Sequence, residues 1–386
     1  VSRPVTLSIA DLGLFFGPAH ATLAARLTRE ALVALIDGGS AEHDAARSAR
    51  ALGDAGLYRF LVPEAHGGAA MGRPGEATYV DVRGLVLLRE ALGQVSPLAD
   101  AIFAVQGLGS YPVVLAGTEE QRRRVLPGVL TGERIGGFAL TEPEAGSDVG
   151  SLRTTARRDG DAWVLDGDKT LISNVPIAHH YVVFANADPS RGKKGITAFL
   201  VERDAPGLTL SEIPMSIPHP IGRLRLDGCR VPIEAVLGEV GAGFRLAMET
   251  LDAFRISVGA AANGMARSAL DAAVEHVTRR RQFGAPLADQ QIVRAYLAEM
   301  ATELDAARLL VARAAHLRDT TGDRVSTEAA MAKMYATEAA QRIIDRAVQL
   351  HGGAGVCLGA EVERLYREIR PLRIYEGTTE IQKLII

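Results

Sequence analysis

Near the end of the chain, residues 373–382 read RIYEGTTEIQ, which sets one carboxylate, Glu376, between Tyr375 and Gly377. Glycine tolerates φ > 0, so this glutamate stands beside backbone that can turn sharply and aim the side chain. Two uses are open to it: a solvated loop acid, or a general base directed at a substrate. Three other stretches offer ligand chemistry. FALTEPEAGSDVGS (138–151) is either a capped turn or a set of N–H and O–H donors for an anionic or carbonyl-bearing ligand. RRRQFGAPLADQQ (279–291) is either a helix C-terminus with cations on its dipole or a set of guanidinium forks for a pyrophosphate. HGGAG (351–355) is either a glycine-rich helix end or a close backbone approach to a phosphate or ribose.

Several chemistries are disfavoured. The chain has no GxxxxGK[ST], and no GxGxxG follows a strand pattern and opens a helix. No HExxH or CxxC occurs, and His179–His180 are neighbours on a strand pattern that points them to opposite faces, so no metal site is expected. Cys229 and Cys357 are too few and too far apart for a disulfide framework. With 47% hydrophobic and 23% charged residues and a formal net charge of −3, the composition is that of an ordinary globular protein, against disorder and against a nucleic-acid surface. No apolar run reaches the ~18 residues of a membrane span. The first sixteen residues lack a long apolar core and carry Asp11, so a cleaved signal is not expected and a cytoplasmic, reducing compartment is.

Elements must position these residues. At 386 residues the chain exceeds the size at which one core stops growing, so two or three domains are expected. Residues 1–135 are mostly helical in pattern: 45–62 reads as a helix ended at Gly56, 66–76 as a loop, and 119–133 as a short helix with acids first and bases after. From 136 to 236 the period changes. Asp-Gly at 159–160 and at 166–167 predicts two hairpin turns, and apolar runs at 180–187, 196–204, 208–214 and 223–232 continue at regular spacing. Such short strands indicate an antiparallel sandwich or barrel. Across 237–386 the pattern is helical again. Val293, Leu297, Met300, Leu304 and Val311 share one helix stripe, and segments 243–280, 289–319, 325–350 and 359–369 predict a four-helix bundle.

Together the stretches are more specific than any one alone. LVPEAHGG, ALTEPEAGSDVGSL, GDKTLISN, RRRQFGAPLADQQ, QLHGGAG and IYEGTTEIQ resemble the acyl-CoA dehydrogenase family in order and spacing, over roughly residues 45–382. The resemblance implies a mainly α fold with a central β-barrel: an N-terminal helical domain (1–135), a middle antiparallel barrel (136–236) and a C-terminal four-helix bundle (237–386). It implies FAD bound without a Rossmann domain, an acyl-CoA substrate, an electron-transferring flavoprotein as acceptor, and a cofactor shared between the subunits of a homotetramer.

Residue by residue, the resemblance places Phe138, Leu140, Thr141 and Ser147 on a loop facing flavin and acyl-CoA, and Leu171, Ile172 and Ser173 on the strand beside the isoalloxazine. Arg280, Gln282, Phe283, Gln290 and Gln291 match positions that hold the FAD of a neighbouring subunit. Gln349, Leu350, Gly352 and Gly353 match a cofactor-contacting turn, and Thr378 and Glu380 match FAD contacts near the base. Ser147, Asp252, Phe254, Arg255, Tyr375 and Gly377 match the substrate side. Glu376 matches the base that takes the α-proton while the β-hydrogen leaves as hydride to flavin N5. An unperturbed glutamate (pKa ~4.3) is a weak base for a carbon acid, and enclosure should raise it toward ~6–7. Some members carry the base on a helix instead. The matching position here is Phe254, in LDAFR (251–255), which cannot serve.

Four departures stand out. Leu171 replaces a residue that is usually aromatic, and Phe254 stands where small or acidic residues are common and should narrow the acyl pocket or stack on a ring. SIPHPIGRLRL (216–226) replaces a loop that usually carries serine and threonine, and Glu368 stands for the usual aspartate. Two rival readings use the same fold: an oxygen-using acyl-CoA oxidase or monooxygenase, and a flavin-binding protein without turnover.

Overall fold

The computed structural model describes residues 9–28, 31–33, 44–71 and 75–386. Residues 1–8 of the N-terminal segment and 72–74 of the loop at 66–76 lie outside the described residues. In chain order the helices used below are Pro18–Arg26 (α1), Ala45–Asp54 (α2), Val82–Val95 (α3), Pro97–Ala116 (α4), Glu119–Thr131 (α5), Gly243–Arg279 (α6), Gln291–Thr321 (α7), Ser326–His351 (α8), Glu361–Glu368 (α9) and Thr379–Ile385 (α10). The chain divides into two compact units. A helical unit holds the described residues within 1–34, 81–100 and 255–386, and a sheet unit holds those within 35–80 and 101–254.

The sheet unit is built on strands Gly136–Ala139 (β1), Thr155–Asp159 (β2), Ala162–Ser173 (β3), His180–Asn186 (β4), Ile196–Glu202 (β5), Leu208–Glu212 (β6), Ile221–Pro232 (β7) and Val236–Leu237 (β8). Their order is β6-β7-β3-β2-β4-β5-β8, with β1 parallel to β4. The path ends at β6 and β8, and no pairing among the described residues joins those ends. The sheet is therefore open, where strand spacing suggested a closed barrel. Spacing reports strands and turns but not which edges meet. Here the ladder forks at β4, which pairs with β5 along its length, with β1 along half of it, and with β2 only at Asn186.

The first Asp-Gly forms the expected hairpin, with Gly160 at φ 65 between β2 and β3. The second does not. Asp166–Gly167 lies inside β3 at a register shift against β7, and Gly167 (φ 154) is pressed so close to Thr154 that a Cβ would sit 2.5 Å from its Oγ1. This dipeptide makes a bulge, not a turn. Inward residues of β3, β4, β5 and β7, among them Trp163, Tyr181, Phe199 and Leu224, form one apolar core. Helix α4 fixes β1. A Cβ at Gly109 would meet the Gly136 carbonyl carbon at 2.6 Å, and the Gln106 side chain bonds Gly136 N at 2.7 Å and Arg134 O at 2.8 Å. Against the expectation that no apolar run is long enough, α4 has the length and composition to cross a membrane, but 83% of its apolar stretch is buried within the protein.

In the helical unit α7 carries the predicted stripe inward: Val293, Met300, Leu304 and Val311 are buried. One core joins Val258 and Met265 of α6, Met300 and Leu304 of α7, Ile343 and Ile344 of α8, and Leu365 of α9. A second is alanine-rich and joins α3, α6, α7 and α8. Helices α3 and α6 touch through backbone, since a Cβ at Gly264 would meet Glu90 O at 2.0 Å and one at Gly93 would meet Ala261 O at 2.4 Å. Asp319 at the end of α7 caps α3, accepting from the amides of Val82 (3.0 Å) and Arg83 (2.9 Å). Because Gly264 meets rigid backbone, Gly264→Ala is expected to cost about 1–3 kcal/mol of stability, the range for overpacking. A thermal melt should show the midpoint falling by several degrees, and an unchanged melt contradicts this packing.

Candidate active site

Glu376 lies in the helical unit, on a short turn between two small helical pieces. Before it, residues 370–373 form a 3-10 turn, and the amides of Ile374 and Tyr375 both donate to Pro371 O. After it, the Thr378 hydroxyl caps α10 by accepting from Ile381 N at 3.3 Å. The linking residues are left-handed, with Glu376 at φ 53 and Gly377 at φ 90. That conformation costs a non-glycine residue about 1–3 kcal/mol and persists only where surroundings enforce it. Three hydrogen bonds do so. Lys333 Nζ, from the first third of α8, donates to Gly377 O at 2.7 Å. Gln382 Nε2 donates to Gly377 O at 2.9 Å and to Glu376 O at 3.2 Å. Gly377 is itself required by this geometry: its φ is positive, and a Cβ would come within 2.5 Å of Gln382 Nε2.

The carboxylate is placed where charge is costly. Its Oε2 is shut off from solvent and accepts no hydrogen bond from the described residues. Burial raises the Glu376 pKa above the ordinary glutamate value, against the pull of Arg89, Lys333 and Arg255, and Asp100 adds to the rise. Each of those four side chains is buried. Arg89 from α3 binds Asp100 through two 2.8 Å bonds and Ser257 Oγ at 3.0 Å, and its guanidinium also meets the Tyr375 hydroxyl. Lys333 is so enclosed that burial draws its pKa down to about 8, with Glu376 opposing the fall. The result is a carboxylate whose pKa is raised, held by a turn whose carbonyls are tied down. A second acid, Glu338, is fully engaged by Arg373 and Thr379 and serves the scaffold.

The sheet unit carries the second group of expected residues. Glu142, buried, binds Lys169 Nζ at 2.7 Å and the amide of Thr154 at 3.0 Å, while Lys169 also donates to Leu140 O at 3.1 Å. This ion pair anchors both ends of the loop that follows β1. It leaves Thr141 half-buried and Ser147 exposed, and Phe138 packs edge-on against Phe184. At the end of β3, Leu171 has φ 55 and is 54% exposed, Ile172 is buried, and the Ser173 hydroxyl lies half-buried. An apolar side chain pushed into the open by left-handed backbone, with a hydroxyl two residues on, fits a flat apolar ring with a polar edge. These residues are compatible with FAD. Phe254 is fully buried, with its ring edge-on to Tyr111 at 5.7 Å, and Asp252 is half-buried.

The remaining expected residues belong to the helical unit. Strands Arg281–Gln282 (β9) and Ala285–Pro286 (β10) make a small hairpin that presents Phe283 at φ 52 and 96% exposed, beside exposed Arg280 and Gln282. Gln290 stands at the N-cap position of α7 without a side-chain capping bond, and Gln291 is its first residue. Gln349 and Leu350 end α8, and a Cβ on Gly352 or Gly353 would meet nothing within 4 Å, so backbone there is open to a close-lying ligand. Thr378 is committed to its cap, and Glu380 is exposed. Among the described residues no group of three ligating side chains could hold a metal.

Sequence reasoning missed Arg89, Asp100, Lys333, Gln382, Glu142 and Lys169. A weak signal existed for three of them. Asp100 in PLADAIFAV and Lys333 in AAMAKMYA are lone charges inside apolar helical stretches, and Arg89 in GLVLLREALG follows four apolar residues with only Glu90 beside it; an ionisable group in such a place is seldom left without a partner.

Comparison with known proteins completes the assignment. The profile of the acyl-CoA dehydrogenase N-terminal domain matches residues 21–133, that of the middle domain 137–229, and that of the C-terminal domain 241–386. The chain is 40% identical to a 3-(aryl)acrylate reductase of Clostridium sporogenes, covering 86% of each. It is 41% identical to the mitochondrial short-chain specific acyl-CoA dehydrogenase of Homo sapiens (88% of this chain, 81% of the relative). It is 38% identical to the CarC subunit of the caffeyl-CoA reductase–Etf complex of Acetobacterium woodii, covering 86% of each. An acyl-CoA dehydrogenase of Bacillus anthracis, solved in complex with FAD, superposes with a TM-score of 0.85 at 30% identity, covering 96% of this chain and 66% of that one. The chain belongs to the acyl-CoA dehydrogenase family.

Proposed function

We propose that this chain is an FAD-dependent dehydrogenase that introduces an α,β double bond into an acyl-CoA thioester, with Glu376 as the base. The observation that carries this reading is the Glu376 carboxylate itself: on a half-buried residue, with an Oε2 shut off from solvent and unpartnered among the described residues, a raised pKa, and a turn fixed by three hydrogen bonds. When bound, FAD supplies the hydride acceptor for the β-hydrogen. Oε2 of Glu376 takes the α-proton, and desolvation makes it a stronger base than an exposed glutamate. The Glu376 amide is positioned by the same turn and is expected to donate to the thioester carbonyl, where negative charge develops. Arg89, held by Asp100, orients Tyr375 beside the base.

The finer architecture belongs to the same reading: a helical segment, a β segment and a closing bundle of α6, α7, α8 and α9, divided near residues 135 and 236. Electrons pass to an electron-transferring flavoprotein, consistent with the Etf complex of one relative. A homotetramer sharing its cofactor is supported by apolar side chains left exposed: Phe283 at 96% in the stretch assigned to a neighbour's FAD, and Val356 at 69% and Leu358 at 87% just beyond the cofactor-contacting turn. Two relatives are reductases, so the same residues serve a second reading in which Glu376 returns a proton to the α-carbon of an enoyl thioester.

The direct test uses purified holoenzyme and a panel of straight, branched and aryl acyl-CoAs under anaerobic conditions. At least one should bleach the flavin. Glu376→Gln should bind that thioester but bleach at least ~10²-fold more slowly. Near-normal bleaching by this variant moves the base elsewhere, and rapid peroxide formation in air would replace the dehydrogenase reading with an oxidase. Lys333→Met removes both a hydrogen bond to the turn and a cation that lowers the Glu376 pKa. Bleaching should slow about 10- to 100-fold through misplacement, with the ascending limb of its pH profile moved to higher pH. An unmoved limb contradicts electrostatic coupling between Lys333 and the base.

A further inference from the structure

One part of the sheet unit is not accounted for by the reaction. The segment SIPHPIGRLRL departs from the pattern expected at its place, and the structure gives its histidine a partner: His219 Nε2 lies 2.7 Å from the Ser173 hydroxyl. Ser173 ends β3, two residues after the exposed Leu171, on the stretch assigned to the flavin ring. The contact is built rather than incidental. Pro218 and Pro220 flank His219, and each proline fixes its own φ and restricts the residue before it. The His219 amide closes a tight turn onto Ile217 O at 2.8 Å. Pro220 O accepts from Asn174 N at 2.6 Å, and β7 then pairs Ile221 with Ser173 and Gly222 with Ile172. Gly222 permits that pairing, since a Cβ there would lie 2.4 Å from Ser211 O and 2.6 Å from Val175 Cγ1. Asn174, at φ 65, is fixed from the other side by a 3.2 Å bond from its side-chain Nδ2 to Gly136 O. A rigid Pro-His-Pro turn thus delivers one imidazole nitrogen to one hydroxyl.

We propose that His219 is a positioning residue for the cofactor face: it locks the Ser173 hydroxyl in one rotamer, so that the Ser173–His219 pair presents a preorganised hydrogen-bonding edge to the isoalloxazine. Burial lowers the imidazole pKa to about 4, which keeps the ring neutral near pH 7 and able to donate or accept, according to tautomer. Either way the hydroxyl rotor is fixed before the ligand arrives, and less freedom is lost on binding. The proposal rests on FAD lying beside Ser173.

The test is reconstitution of the full-length apoprotein with FAD, following the dissociation constant and the visible spectrum of the bound flavin. His219→Phe should weaken FAD about 3- to 10-fold, the range for one neutral hydrogen bond, and shift the visible band. Ser173→Ala should do the same, and the double variant should be no worse than either single one, because both remove one interaction. His219→Gln, whose amide can meet the hydroxyl, should recover most of the affinity, which separates positioning from simple loss of packing. Multiplying losses in the double variant, or His219→Phe with unchanged affinity and spectrum, overturn the proposal. Failure of the unaltered protein to bind FAD overturns the cofactor reading and this proposal with it.

Discussion

A left-handed glutamate is the constraint on which the site depends. At φ 53 Glu376 occupies backbone space that a residue with a Cβ avoids, and it stays there because Lys333 and Gln382 hold the carbonyls of Glu376 and Gly377. The arrangement ties strain to chemistry. Burying a lysine is expensive, and here the cost is offset by a strong hydrogen bond and by a carboxylate nearby. Burying that carboxylate is also expensive, and its cost appears as a raised pKa, the property a carbon-acid base needs. Either partner alone would be a liability, whereas together they set the position and the basicity of one oxygen atom.

The same economy recurs in the sheet unit. Glu142 and Lys169 are buried as a pair, and their bonds to Leu140 O and Thr154 N fix a loop rich in hydroxyls at the end of β1. Burial pushes the Glu142 carboxyl up, but Lys169 and the amides it accepts from hold it below the ordinary range. The two lysine–glutamate sites therefore differ in purpose. Glu142 is saturated with hydrogen bonds and stays ionised as scaffold, whereas Glu376 keeps an oxygen unsatisfied and available.

Much of this was legible in the sequence, and the remainder was hidden for identifiable reasons. Helix limits followed in part from punctuation: Gly56, read as the end of a helix, takes a positive φ just past the Ala55 C-cap. Glu376 was legible as the candidate base through its motif neighbours. Lys333 and Gln382 were not, since their value lies in reaching backbone atoms 44 and 5 residues away, which no spacing rule encodes. Asp166–Gly167 had the composition of a hairpin and became a bulge because β3 continues through it to pair with β7. Closure of the sheet was likewise beyond a reading of strand spacing. His219 was visible only as an oddity of composition until its distance to Ser173 was known.

The central claim is that burial makes Glu376 the proton acceptor. It is tested most directly by anaerobic stopped-flow measurement of flavin reduction by a reactive acyl-CoA across pH in the unaltered holoenzyme. The account predicts that the rate rises with pH through a single ionisation lying above the ordinary glutamate range, because the carboxylate must be ionised to accept the α-proton and burial raises its pKa. A rate independent of pH, or one controlled by an ionisation at or below that of an exposed glutamate, would contradict it.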